Sequence, residues 1–163
     1  MMKNICWVTC FLLSFHFLNA QKHTIGEFYG GGVVFAVNED GSHGLIVETT
    51  DQSGSCDWNE AQIAVKQEKN HSEEGKKFTD WRLPVIDELQ MLFTNLKVDK
   101  LCSSIAKICF NTEYYWSSSK YIYTNTETNE KGYDYAWFFK FGIGGADWTA
   151  MGNSVAVRAV REF

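Results

Sequence analysis

The sequence predicts a single α+β domain: an N-terminal β-hairpin, two or three helices, then a C-terminal antiparallel sheet. Three observations carry this. Val33–Val37 and Gly44–Glu48 are short runs rich in β-branched and aromatic residues, joined by the turn residues Asn38-Glu39-Asp40-Gly41-Ser42. Ile86, Leu89, Leu92, Phe93 and Leu96 recur at helical spacing behind a proline. The late chain then supplies aromatic and alternating runs at Thr112–Ser119, Tyr135–Phe141 and Ser154–Arg161. With 163 residues, 6 Trp, 7 Tyr, 12 Phe and a single proline, the chain has one domain's length and a core-forming composition. Disorder is excluded by the same composition.

Met1 to Ala20 reads as a secretory signal peptide. Lys3 is its basic start, Ile5 to Leu18 is largely apolar, and Leu18-Asn19-Ala20 offers a small residue before the cut. The run falls short of the roughly 20 apolar residues of a membrane span, so the mature chain from Gln21 to Phe163 is expected to be exported without stable membrane insertion. It would be secreted or held in the cell envelope. Lys3 is the only charge removed, leaving 14 basic against 20 acidic residues, a net of −6. Such a balance gives no general electrostatic footprint for nucleic acid.

Residues 21–29 form a lead-in segment. Gly30-Gly31-Gly32 precedes a strand instead of a helix and lacks a following Lys-Ser/Thr, so it is not a phosphate loop. Asp57, with Glu60 three residues on, forms a capping box for a short helix that buries Trp58, Ala61, Val65 and Ile63. Lys66 to Lys77 is a charged stretch. Its His71-Ser72-Glu73-Glu74 resembles a metal cluster only on paper and reads as solvated loop.

Trp81-Arg82-Leu83-Pro84 then opens the central helix. Proline suits a helix start, and Asp87 and Glu88 favour the positive end of its dipole. Trp81 and Leu83 are expected to be buried, and Arg82 to seek a carboxylate or carbonyl. Val98, Leu101, Cys102, Ile105 and Ile108 suggest a further short helix. Among the cysteines of the mature chain, Cys102 and Cys109 are nearest and are the preferred disulfide, with Cys56 the third. Seven residues of continuous helix would hold those Cα atoms about 10 Å apart, so the bond requires that helix to end near Lys107. Thr112–Ser119 is an aromatic strand, Lys120–Lys131 an exposed loop, Tyr135–Phe141 a strand and Gly142–Asp147 a turn-rich link. Ser154–Arg161 alternates valines with small or basic residues, as a half-buried strand does. Trp116 and Trp137 are expected in the core, and Arg158 against a carboxylate or strand carbonyls.

Three pieces in fixed order, Trp81-Arg82-Leu83-Pro84 with Asp87-Glu88-Leu89, Tyr115-Trp116-Ser117-Ser118 and Val157-Arg158-Ala159-Val160-Arg161, follow Gly31-Gly32-Val33-Val34-Phe35 and His43-Gly44-Leu45-Ile46. Together they resemble the Lcl C-terminal domain family, and the likeness spans nearly the whole mature chain. The resemblance implies an exported bacterial domain with a C-type-lectin-like arrangement. It also implies kinship with the tip of a collagen-like adhesin that forms trimers and binds sulfated polysaccharide. Two departures stand out. Val85 occupies a position where the family carries a capping residue, a loss of about 1 kcal/mol. This chain also carries no collagen-like Gly-X-Y tract. The family motifs are architectural, with no catalytic residue to carry over.

The function expected is therefore a secreted, adhesin-like binding module for carbohydrate or a glycosaminoglycan-like polymer, acting without cofactor or metal and with a homo-trimer as one assembly. The aromatic and polar residues of the late chain are the candidate ligand contacts: Tyr121, Tyr123, Asn125, Asp147, Trp148 and Asn153. Aromatic faces stack on sugar rings while amides and carboxylates meet hydroxyls. Lys120, Lys131 and Lys140 are the cations available to sulfate. The alternative is an envelope domain that binds another protein. An enzyme is the third reading, because Arg-Leu-Pro ahead of an acidic helix also resembles the formylglycine-generating enzymes. Those use paired cysteines near the C-terminus, and no cysteine follows Cys109. No serine stands in a nucleophile motif beside a base, and a hydrolase requires one.

Overall fold

The computed structural model describes residues 21–52 and 54–163. The signal-peptide reading of residues 1–20 lies outside them. In chain order the elements are β1 (Phe28–Tyr29), β2 (Gly32–Val37), β3 (Gly44–Glu48), α1 (Trp58–Ala64), α2 (Ile86–Asn95), β4 (Val98–Asp99), β5 (Cys102–Ser103), β6 (Tyr114–Thr124), β7 (Lys131–Lys140), β8 (Gly145–Ala150) and β9 (Val160–Glu162). Two short 3-10 turns, Glu68–Asn70 and Gly75–Lys77, break the charged stretch between the helices. All strand pairing within the sheets is antiparallel. The class is α+β.

The hairpin β2–β3 forms as its pattern predicts. Gly31 sits at φ 87°, and a Cβ on Gly32 would collide with the Val47 carbonyl, so these glycines serve close backbone approach. The last strand differs from expectation. β9 joins the N-terminal hairpin in the order β1-β2-β3-β9, while β6-β7-β8 stand as a separate sheet. The segment before β9 is not half-buried either. Ala156 and Val160 enter one core cluster, with Val33, Phe35, Leu89, Leu92, Tyr115 and Phe139. Val155, Val157 and Ala159 enter a second, with Val34, Trp58, Trp81, Leu83 and Trp116. The alternation is real, but both of its sides face protein.

α1 carries the predicted capping box: Glu60 N–H donates to Asp57 Oδ1 at 2.8 Å and Asp57 N–H to Glu60 at 3.4 Å. Ile63 departs from the expected buried side, being 59% exposed. The residue capping α2 is Val85, whose side chain has no acceptor. Glu88 accepts the Val85 N–H at 2.9 Å, and the Ile86 N–H finds the Ser119 hydroxyl at 3.1 Å. A serine distant in sequence thus replaces the missing cap. The same serine run accounts for the proline motif, since the Pro84 carbonyl accepts from the Ser118 amide at 2.7 Å and hydroxyl at 3.2 Å.

The expected helix over Val98–Ile108 does not form. Lys97, Lys100 and Leu101 take positive φ, which no continuous α-helix allows, and the segment folds into the β4–β5 hairpin. Cys102 and Cys109 face each other across an antiparallel bridge with Cα atoms 4.1 Å apart, and the disulfide closes there. Val98, Ala106 and Ile108 are buried all the same. The core imposes the apolar spacing, and it mimics a helical one.

Candidate functional site

Three strands outrun the helix that covers them. α2 has ten residues, about 15 Å of helix, whereas ten-residue β7 runs about 33 Å. On the near half, Phe93 of α2 packs on Phe139 at 5.6 Å between centroids. On the far half of the same face, Tyr135 and Trp137 follow Phe139 by strand alternation with no helix above them. β8 lies opposite in unbroken register, Trp148 beside Trp137, and β6 contributes Tyr121 and Tyr123. The expected exposed loop over Lys120–Lys131 is therefore half strand, and the expected link over Gly142–Asp147 already contains the start of β8. The β-forming Tyr121 and Tyr123 account for the first difference, and pairing of Gly145–Asp147 with Phe138–Lys140 of β7 for the second.

The rings form one connected group. Tyr121 and Trp148 lie parallel, 4.5 Å apart at 8°. Trp137 stands at 90° to Tyr121 at 5.4 Å, and Tyr135 at 90° to Trp148 at 5.2 Å. Tyr123 extends the group toward the arm's tip, 6.3 Å from Tyr135. Tyr123 and Trp148 remain 40% and 38% exposed. Each such pair contributes about 0.5–1.5 kcal/mol beyond its burial, so the rings brace one another on the sheet face. Trp137, expected in the core, is half-buried here instead, because α2 stops short of it.

Of the six candidate ligand residues, the structure brings Tyr121, Tyr123 and Trp148 together and assigns the other three elsewhere. Asn125 Oδ1 accepts the amides of Glu127 and Thr128 at 2.9 and 3.2 Å and builds the turn between β6 and β7. Asp147 alternates to the opposite face, where Lys140 Nζ lies 2.6 Å away. That hydrogen bond, with the Trp148 amide at 2.9 Å, holds its carboxyl below the usual range. Asn153 Nδ2 donates to Thr149 Oγ1. Tyr135 and Trp137 complete the platform. Reading Tyr135–Phe141 as a strand with a period of two, over a helix too short to span it, would have found them.

The cations also avoid this face. Lys120 pairs with buried Ala136 on the reverse side, its ammonium 5.3 Å from the Trp58 ring centroid. Lys131 pairs with Thr124, which alternates away from Tyr123. Lys140 shares the reverse side and is held by Asp147.

The motif residues instead build the interior. Trp81 and Trp116 are buried, their indole N–H groups donating to the carbonyls of Gly75 and Cys56, each at 2.9 Å. Leu83 is buried beside them. Arg82 grips Glu88 with two 2.7 Å bonds and reaches Glu162 at 3.1 Å, and the Glu88 bonds above all hold the guanidinium charged. Arg158, 1% exposed, donates to Asp51 at 2.7 Å and to the carbonyls of Glu48 and Cys109, each at 3.1 Å, over the ring of Phe110. The Tyr115 hydroxyl donates to the same Asp51 at 3.1 Å, and burial pushes that phenol up to about 12.

Histidine 71 corrects the solvated-loop reading. It is buried against Trp81, bonded to Glu48 through Nδ1 at 3.0 Å and to the Val65 carbonyl through Nε2 at 3.1 Å. A carbonyl only accepts, so Nε2 carries a proton. Ser72 and the Thr49 amide fill the other Glu48 oxygen at 2.8 and 2.9 Å. His23 is likewise buried, stacked on Tyr29 at 3.7 Å. Both histidines are tied into the fold. Among the described residues, no group of three or more His, Cys, Asp or Glu side chains is arranged to hold a metal ion.

These features define an α+β domain whose buried polar side chains, among the described residues, are all hydrogen-bonded, with an aromatic sheet face left open. The model of the Lcl C-terminal domain family matches residues 36–161. That is most of the chain, and the chain belongs to this family. No curated protein matches it.

Proposed function

We propose that this protein is an exported, non-catalytic binding module that takes carbohydrate on the platform of Tyr121, Tyr123, Tyr135, Trp137 and Trp148. One observation carries the reading: aromatic rings in mutual contact, Tyr123 and Trp148 exposed and Tyr121, Tyr135 and Trp137 half-buried, share a stretch of sheet face beyond the end of α2. Exposed aromatic patches of this kind mark interaction sites in soluble domains. The three tyrosine hydroxyls offer hydrogen bonds at the rim of a surface suited to stacking on sugar C–H faces.

The charge distribution favours neutral over sulfated glycans, since Lys120, Lys131 and Lys140 all belong to the reverse side. The family's kinship with a surface adhesin supports an exported location and glycan recognition, and a C-type-lectin-like arrangement is part of the same reading. Absence of catalysis is supported by the interior: Glu48, His71, Asp51 and Arg158 each have their hydrogen bonds filled by other protein groups.

The test is a glycan array probed with residues 21–163, repeated with chelator and at raised salt. Selective binding to neutral oligosaccharides that survives both treatments is expected. Binding confined to sulfated polymers and lost at raised salt would move recognition to the lysines. A blank array with folded protein would overturn the reading.

A further inference from the structure

We propose that the outer edge of β6 pairs antiparallel with the same edge of a second copy of this chain, about a two-fold axis at Ile122. β6 is an edge strand of its sheet. Its first half is covered: the Trp116 amide donates to the Ala156 carbonyl and the Ser118 amide to the Pro84 carbonyl, while Ser119 caps α2. From Lys120 to Thr124, β7 supplies the ladder on one side only, and among the described residues no other segment takes up the remaining backbone groups. Such an edge is a template for another strand unless charge, proline or a bulge blunts it. Here the bulge beside Tyr121 and Tyr123 adds its extra residue to β7, so Lys120–Thr124 of β6 stays regular, and the irregularity on β6 itself, between Trp116 and Lys120, falls in the covered half. The one charge, Lys120, sits at the root with its ammonium drawn toward Trp58. Ile122, at the centre, is 52% exposed.

The edge's own sequence names the occupant. Lys120-Tyr121-Ile122-Tyr123-Thr124 reads almost the same in both directions. Antiparallel pairing about Ile122 sets the two isoleucines side by side, each Tyr121 against Tyr123 of the other copy, and each Lys120 against Thr124. Aromatic cross-strand pairs are favourable, and no like charges meet. Because side chains alternate, all four tyrosines share one face, and the two aromatic platforms join into one surface. Val85, 42% exposed, stands at the root of the edge, where the 125–130 turn of the second copy arrives. Five residue pairs make a small contact, so the dimer depends on concentration. The proposal rests on the strand edge and is independent of what the platform binds.

The test combines sedimentation equilibrium of residues 21–163, up to about 1 mM, with air oxidation of two variants. Ile122→Cys brings two thiols within disulfide reach across the axis and links chains into a covalent dimer. Ile143→Cys is the control, at a residue 80% exposed in the turn between β7 and β8, and stays unlinked. The unsubstituted chain dimerises as concentration rises. Ile122→Lys, which opposes two ammonium groups at the axis, stays monomeric with an unchanged circular dichroism spectrum. A chain monomeric throughout, a trimer, equal linking of both cysteine variants, or a dimer that survives Ile122→Lys would each overturn the proposal.

Discussion

The surroundings of Arg158 and the far half of the β6–β7–β8 sheet use similar residue types to opposite ends. Around Arg158, aromatic rings and charged groups are buried together: Phe110 and Tyr115 flank the guanidinium, and Asp51 accepts from both Arg158 and Tyr115. On the far sheet, Tyr121, Tyr135, Trp137 and Trp148 pack on one another beyond the reach of α2. In the first region each polar group has a partner inside the protein, so the whole arrangement acts on stability. In the second the rings keep accessible surface, so their contribution is available to a ligand. Abundant tryptophan and tyrosine therefore do not identify a site. What identifies it is where a covering element ends.

The comparison breaks most sharply at Arg158. Arg158→Met takes the guanidinium from the Asp51 carboxylate, which keeps only the neutral donors Tyr115 and Asn111, and removes the Arg158 donor from the Cys109 carbonyl, and should cost about 3–5 kcal/mol in urea unfolding. A loss below about 1 kcal/mol would mean that the buried ion pair is idle. Next is alkaline unfolding. The Tyr115 phenol titrates near 12 in the fold and near 10 when unfolded, so the folded state holds its proton more tightly. The sign follows: the stabilisation is complete below pH 10 and is lost as pH rises through 12, roughly 3 kcal/mol in all. Tyr115→Phe should flatten that slope, measured as urea midpoint against pH. Ser119→Ala removes the cap that Val85 lacks and should cost about 1 kcal/mol, leaving the platform in place.

The sequence makes the regular parts of the fold legible: the hairpin, the α1 capping box, the central helix and the disulfide pair. Each is written in local chemistry, with β-branched runs around a turn, an Asp-x-x-Glu spacing and a proline before an amphipathic stretch. What it hides is non-local. The segment from Val98 to Ile108 has helical apolar spacing, yet positive φ at Lys97, Lys100 and Leu101 makes it a hairpin. His71 looks solvated because its partner Glu48 lies 23 residues away on a strand. Half of the candidate site is legible for a similar reason. Tyr121, Tyr123 and Trp148 stand out by type, whereas Asn125 and Asp147 also stand out and are spent on a turn and an ion pair. Tyr135 and Trp137 emerge only when the length of β7 is set against that of α2.

The most direct measurement sets the two regions against each other in one variant. Tyr121→Ala/Trp148→Ala should retain cooperative unfolding, its stability lowered by about 1.5–4.5 kcal/mol, the scale of the three aromatic pairs removed. On the same array of neutral and sulfated glycans it should lose every signal that the unsubstituted chain gives. Retained glycan binding in that folded variant would contradict the assignment of recognition to the aromatic face.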